Sequence, residues 1–306
     1  MIICLGAFDG YHRGHLSLFD RARNLAEERG TTWRIVTFSP HPRFVLGGLK
    51  ARLFSEDEKA LLRRCLDLPE PVKIPFTREF SQMDPALFLR QLQSAYDLEG
   101  IVVGRTFRFG RKRSGDSVFL TQYCREHRIA LELIPQMVMP DGTVISSTSA
   151  RSMVQAGTVE QVSSLLGYPY FMMAPVRHGE GRGHELGYPT ANILPDEKKL
   201  IPAEGVYAGA LYSGGAWYPA AVSVGRNPTF LIQGSLRVEA HGIGFEGDLY
   251  GRSPLVAFLK RLRPMTRFSG REELTKQLEQ DCRMAVNVFE SRPDVPRFFS
   301  PLPSSL

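Results

Sequence analysis

Cysteine, tryptophan and long apolar runs are all scarce in this chain of 306 residues. Its four cysteines, Cys4, Cys65, Cys124 and Cys282, lie far apart and form no Cys-x-x-Cys pair, which excludes the common zinc and dithiol redox motifs. Two disulfides are possible by number, but buried free thiols in a reducing compartment are the expected state. No apolar stretch approaches the length of a membrane span, so no membrane association is expected. The segment 1–8 is apolar but has no basic leader and is cut short by Asp9, so it does not read as a signal peptide. The expected location is cytoplasmic. Blocks of one charge are missing as well. The net charge of +6 favours anionic partners, yet no Lys/Arg cluster with interleaved aromatics follows. Small phosphorylated ligands suit that excess better than nucleic acid, which is not expected as a partner. Internal repeats and low-complexity tracts are absent too.

What is present describes a globular protein, 43% hydrophobic and 23% charged, long enough for two cores. The first half alternates short apolar strands, at 2–5, 34–38, 72–75, 101–104 and 130–134, with amphipathic helices. Leu18, Ala22, Leu25 and Ala26 recur at helical spacing after the first strand; further helices are predicted over 55–66, 85–96 and 117–127. This alternation predicts an α/β domain with a doubly wound, parallel sheet, whose ligands sit at the carboxyl ends of the strands. Near 167 the style changes to glycine-rich, alternating segments at 206–212, 217–224, 236–243 and 255–260, without intervening helices. That pattern predicts an antiparallel β-barrel. A terminal helix follows with Leu274, Leu278, Cys282, Ala285 and Phe289 on one face, and 293–306 reads as a loose tail. The expected domains are 1–167 and 168–306.

The first strand runs directly into Gly6-Ala7-Phe8-Asp9-Gly10-Tyr11-His12-Arg13-Gly14-His15. A strand, a glycine turn and a helix starting near His15 make an anion site, because the first N–H groups of a helix have no intrahelical partner. Two histidines three apart add hydrogen-bond donors for phosphate. The stretch resembles GxFDGxHxGH, the signature of the adenylyltransferase half of the bacterial bifunctional riboflavin kinase/FMN adenylyltransferase (FAD synthetase) family. Further matches follow in family order. Thr37-Phe38-Ser39-Pro40-His41-Pro42 resembles TFxPHP, although His41 between two prolines also reads as a rigid loop residue. Residues 103–110, with Gly115-Asp116, resemble VGxDFRFG…GD, and Ile145-Ser146-Ser147-Thr148-Ser149-Ala150-Arg151 resembles ISSTxxR.

In the second half Gly179-Glu180-Gly181-Arg182-Gly183 precedes Leu186-Gly187-Tyr188-Pro189-Thr190-Ala191-Asn192, similar to the kinase signature GxGRGxxLGxPTAN. Residues 224–230 resemble xGxxPTF, Glu239 falls where the family carries its catalytic glutamate, and 245–251 resemble FxGDLYG.

The resemblance covers roughly residues 1–290 and implies ATP-dependent phosphorylation of riboflavin to FMN, then adenylylation of FMN to FAD with release of pyrophosphate. It implies His12, His15 and Glu239 as catalytic residues. ATP would be held by Gly6, Phe8, Asp9, Gly14, Ser146, Ser147, Thr148 and Arg151 at one site, and by Gly181, Gly183, Pro189 and Thr190 at the other. Flavin would meet Phe107, Arg108 and Phe109 in the first domain and Asn227, Phe268 and Leu274 in the second. Mg2+ would accompany ATP, with Thr190 and Asn192 as its protein ligands. A monomer or weak homo-oligomer is expected.

Plainer readings stay open at several positions. Ser146–Thr148 also suit simple helix N-capping, Glu239 a solvent-facing carboxylate on a half-buried strand, and Leu274 core packing. The chain departs from the family pattern at Ala7 and Tyr11 in the first motif, which keeps both histidines, and at Ala174-Pro175, His184, Ser223, Gly242 and Gly244 in the kinase half. Two alternatives are therefore carried: a monofunctional FMN adenylyltransferase with an impaired kinase domain, and a non-catalytic flavin-binding protein.

Overall fold

The computed structural model describes residues 1–178, 186–226 and 236–303. By packing the chain divides into two compact units, one of residues 1–50 and 67–147, the other of 51–66 and 148–306.

The first unit is built on strands β1 (Ile2–Leu5), β2 (Trp33–Ser39), β3 (Val72–Pro75), β4 (Gly100–Gly104) and β5 (Ala130–Ile134). They form one parallel sheet in the order β3-β2-β1-β4-β5, as the alternation of strands and helices required. The strand order reverses at the β1/β4 pair, so the turns leaving those two strands diverge and open a crevice. Helix α1 (Arg13–Glu28) buries Leu18, Phe19, Ala22, Leu25 and Ala26. It starts two residues before its expected start near His15. The cap is the His12 ring, which accepts a hydrogen bond from the His15 amide at 3.2 Å. Imidazole is not among the side chains preferred at this position, and a start signal based on Ser, Thr, Asp or Asn passes over it. Helices α2 (Pro42–Val45), α4 (Pro85–Ala95) and α5 (Ser117–Glu126) complete this unit; Asp84 and Asp116 cap the last two through paired backbone N–H contacts.

The second unit carries strands β6 (Tyr170–Met173), β7 (Val176–Arg177), β8 (Ala191–Ile193), β9 (Gly205–Ser213), β10 (Ala216–Arg226), β11 (Leu236–Gly242) and β12 (Leu255–Arg263). Every ladder between them is antiparallel, in the order β6-β12-β9-β10-β11-β8-β7. The two strands at opposite ends of that order are neighbours in sequence, joined only by Ala174-Pro175. Three Cα–Cα steps span at most about 11 Å, so the sheet must curl until its edges approach, which is the expected barrel-like form. The unusual Ala174-Pro175 is thus the link that draws the edges together. Helix α8 (Arg271–Glu290) packs on β9, β10 and β12, and β9 is buried along its whole length.

Two features of this unit differ from the sequence reading. The stretch read as a loose tail forms helix α9 (Asp294–Phe298), and Phe299 after it is buried against Phe171 and Trp217. Helix α3 (Glu56–Cys65), which precedes β3 in sequence, packs with the second unit, as do α6 (Ser147–Ala156) and α7 (Val159–Leu166), apart from Ser147 at the division. The change of style near 167 and the division by packing therefore do not coincide.

One buried ion pair explains the placement of α3. Lys199 Nζ donates to Glu58 Oε2 at 2.7 Å and to the carbonyls of Leu53 and Phe171, with the rings of Phe54 and Tyr170 4.5 and 4.6 Å away. Glu58 also accepts from the amides of Ser55 and Met173. Both side chains are almost fully buried. Removing one partner strands a charge without solvent, so Lys199→Met alone is expected to cost about 3–5 kcal/mol. Urea unfolding in a Trp33→Phe background, where Trp217 is the remaining tryptophan, measures it. A loss below about 1 kcal/mol, the range of exposed pairs, would contradict the assignment.

Candidate functional site

The first site is the turn between β1 and α1. Phe8 is buried, holds φ at 26° and stands edge-on to both His15 and Phe19, at 5.0 and 4.9 Å. Its ring lies over Gly6, where a Cβ would come within 2.7 Å, so only glycine fits there. Phe8 thus packs edge-on against His15 from within the turn. The rings of His12 and His15 stack face to face, centroids 3.5 Å apart and planes 19° from parallel. His15 Nδ1 donates to the Gly10 carbonyl at 2.6 Å. Loss of water around the ring lowers the His15 pKa from 6.5 to about 4, the dominant effect; the Gly10 bond and the Asp9 carboxylate oppose it, and His41 adds to it. Asp9 is buried, and its carboxylate acts on the His15 ring electrostatically.

Gly14 lies in the first turn of α1, close under the His12 ring and near Ile145. Ile145 immediately precedes Ser146 and Ser147 in the chain. Ser147 opens α6 and Ser146 immediately precedes it, consistent with both the phosphate and the capping reading. Thr148 and Arg151 fall in the second unit, where Arg151 donates to Thr148 Oγ1 at 3.2 Å.

At the carboxyl end of β4 Phe107 stacks on Phe109, centroids 5.6 Å apart. Phe109 belongs to the core, whereas Phe107 is half-buried against it. Arg108 is ion-paired to Asp116, the cap of α5. Phe38 of the TFxPHP-like motif, with Phe76 and Phe80, which were not picked out from sequence, forms mutual contacts at 5.5–6.1 Å, and the cluster reaches Phe109 through Phe88. The available signal was weak: aromatic residues at or just past the carboxyl ends of β2 and β3.

The second site is a row across the antiparallel sheet. Glu239 on β11 is in register with Asn192 on β8 and with Ser223 on β10. Val238 and Ala240 point into the core, so Glu239 shares the opposite face with Asn192 and Ser223, at Cα spacings of roughly 4.5–5.5 Å per strand. Ser223, a departure from the family pattern, is thereby a direct neighbour of Glu239. His241, two residues on, donates through Nδ1 to the Pro189 carbonyl at 2.7 Å and holds the segment bearing Thr190 against this strand. Gly242, another departure, has a packing reason, since a Cβ there would lie 2.7 Å from Leu211. Gly181, Gly183, His184 and Asn227 lie outside the described residues.

Phe268 sits under the Arg263 guanidinium at 5.5 Å, and Arg263 makes a forked pair with the buried Asp281 of α8. Leu274 is in the first turn of α8 and half-buried. Among the described residues no group of three or more His, Cys, Asp or Glu could hold a metal by itself. Thr190, Asn192 and Glu239 instead offer a sparse set of hard oxygen donors. That set fits Mg2+, which takes much of its shell from nucleotide phosphates and water.

Two family models match the chain, one described as FAD synthetase over residues 1–149 and one as riboflavin kinase over 166–289. The bifunctional riboflavin kinase/FMN adenylyltransferase of Listeria monocytogenes is 32% identical over 283 residues, covering 92% of this chain and 90% of that protein. The protein of the same name from Bacillus subtilis is 30% identical over 301 residues, covering 95% and 93%. A crystal structure described as a macrolide-efflux protein from Streptococcus pneumoniae superposes with a TM-score of 0.85 at 29% identity, covering 94% and 93%. No helix among the described residues is long and apolar enough to cross a membrane. With both halves matched, and relatives aligned along nearly their whole length, the chain belongs to the bifunctional riboflavin kinase/FMN adenylyltransferase family.

Proposed function

We propose that this chain makes both flavin cofactors, phosphorylating riboflavin to FMN and then adenylylating FMN to FAD. The carrying observation is that both halves align in one order with bifunctional relatives over at least nine-tenths of their length. The kinase would use residues 168–306 and the adenylyl transfer residues 1–167. In the kinase step Glu239 accepts the proton of the riboflavin primary hydroxyl as its oxygen attacks the γ-phosphorus of ATP. The bond to the β,γ-bridging oxygen breaks and ADP leaves. Asn192 and Thr190 would hold Mg2+, which supplies positive charge to the phosphate oxygens. Phe268 and Leu274 would border the flavin.

In the adenylyl step a phosphate oxygen of FMN attacks the α-phosphorus of a second ATP, and pyrophosphate departs. No protein nucleophile is needed; His12, His15 and the start of α1 hold the triphosphate and stabilise the charge that builds on it. Ser146 and Ser147 add oxygen-binding groups, and Phe107 faces the flavin. Neither step calls for nucleic acid, a membrane or a second copy of the chain.

Incubating the full chain with riboflavin, ATP and Mg2+, and separating the flavins over time, tests the reading. FMN is expected first and FAD after it. Conversion of supplied FMN without any FMN from riboflavin would reduce the chain to an adenylyltransferase. Flavin binding with no ATP consumed would make it a binding protein.

A further inference from the structure

Two hydrogen bonds settle the tautomers at the first site. A main-chain N–H can only donate, so His12 Nδ1, 3.2 Å from the His15 amide nitrogen, is an acceptor. The proton of neutral His12 therefore sits on Nε2. A main-chain carbonyl can only accept, so His15 Nδ1, 2.6 Å from the Gly10 oxygen, carries a proton. Neutral His15 therefore presents a lone pair at Nε2. Two histidines that look alike in sequence thus differ: one offers a donor, the other an acceptor.

The surroundings decide which charge state the pair holds. Rings stacked at 3.5 Å repel strongly if both are imidazolium, because like charges that close are poorly screened away from bulk water. Phe8 closes one edge of His15, the Gly10 carbonyl and Asp9 favour its cation, and His41 opposes it. Desolvation outweighs the Asp9 attraction, so His15 is neutral near pH 7 in the nucleotide-free protein. A lone pair facing phosphate oxygens repels them, whereas an N–H in the same place attracts them.

We propose that nucleotide enters the first site together with a proton, taken up from solvent on His15 Nε2, so that His15 is a cation only in the complex. His12 serves throughout as a neutral donor through Nε2. The inference rests on reading the β1–α1 turn as the triphosphate site. The Gly10 bond persists, because the imidazolium keeps its Nδ1–H. The proton returns to solvent when pyrophosphate leaves. Linkage gives the sign: the complex holds one proton more than the free protein between the two His15 pKa values. In that window nucleotide affinity falls as pH rises, by up to about tenfold per unit. Below the lower value both states are protonated and the dependence vanishes.

The test is a two-bond proton–nitrogen correlation spectrum of the full chain with ring-15N histidine, at about pH 7.5 where free imidazole is largely neutral. His12→Gln and His15→Gln variants assign the two rings. The probe is α,β-methylene-ATP with Mg2+, whose methylene bridge blocks adenylyl transfer. Without nucleotide, His15 is expected as the Nδ1–H tautomer and His12 as the Nε2–H tautomer. On saturation His15 Nε2 should move into the N–H range while His12 keeps its pattern. If the His15 signals respond to nucleotide but Nε2 keeps its lone pair, the proton uptake is wrong and the triphosphate site stands. If neither histidine responds to saturating nucleotide, the site reading itself fails, and the inference with it.

Discussion

Changing His15 to alanine is expected to stop conversion of supplied FMN to FAD while riboflavin is still phosphorylated at nearly the native rate. The ring lies over the turn that would hold the triphosphate, stacked on His12 and edge-on to Phe8. Alanine removes one of the two groups that would face the charge building at the α-phosphorus, leaving His12 alone. Loss of one such contact costs on the order of a hundredfold, and changing His12 as well should deepen the loss. His15 belongs to the first compact unit, Glu239 and Asn192 to the second, so the two activities should separate cleanly. Parallel flavin time courses from riboflavin and from FMN check this, with circular dichroism showing that the variant is folded. Equal loss of both activities in a folded variant would remove the assignment of two separate sites.

The complementary expectation concerns Glu239→Gln. Glutamine keeps the shape and the place in the row between Asn192 and Ser223 but has no basic oxygen. Without a group to take the hydroxyl proton, riboflavin phosphorylation should fall by about a hundred- to ten-thousandfold, with little change in flavin or ATP affinity. Supplied FMN should still become FAD at the native rate. Because the unusual Ser223 pairs with Glu239 and the unusual Gly242 ends the same strand, the native kinase rate is the control that comes first. A Gln variant as fast as an active native protein would return Glu239 to the role of a half-buried surface carboxylate.

Much of this architecture was legible along the chain. Five short segments separated by helices become five parallel strands because parallel neighbours need a crossover, and the continuously apolar β1 and β4 are the ones buried almost throughout. The alternation along β10 and β11 likewise reads directly as one face in the core and one face out. The motifs placed His12, His15, Asn192 and Glu239 on particular elements, since those positions follow from strand, turn and helix order alone.

Other features depend on partners remote in sequence. Nothing near Glu58 shows that its carboxylate meets Lys199, 141 residues away, or that α3 consequently packs with the second unit. Phe299 looked like part of a loose tail because its neighbours are Pro and Ser; its burial comes from Phe171 and Trp217. Ser223 and Gly242 read as oddities until the register set one beside Glu239 and the other against Leu211. The sequence by itself determined the five strands of the first unit and the strand-rich character of the second half, which rest on local propensity and periodicity, and its motifs supplied the candidate site residues through the family resemblance. Only the tertiary structure decided which charges are desolvated together, which strands close on one another, and which nitrogen of each histidine carries the proton. Those depend on groups brought within a few ångströms by folding, where the loss of water makes each contact count.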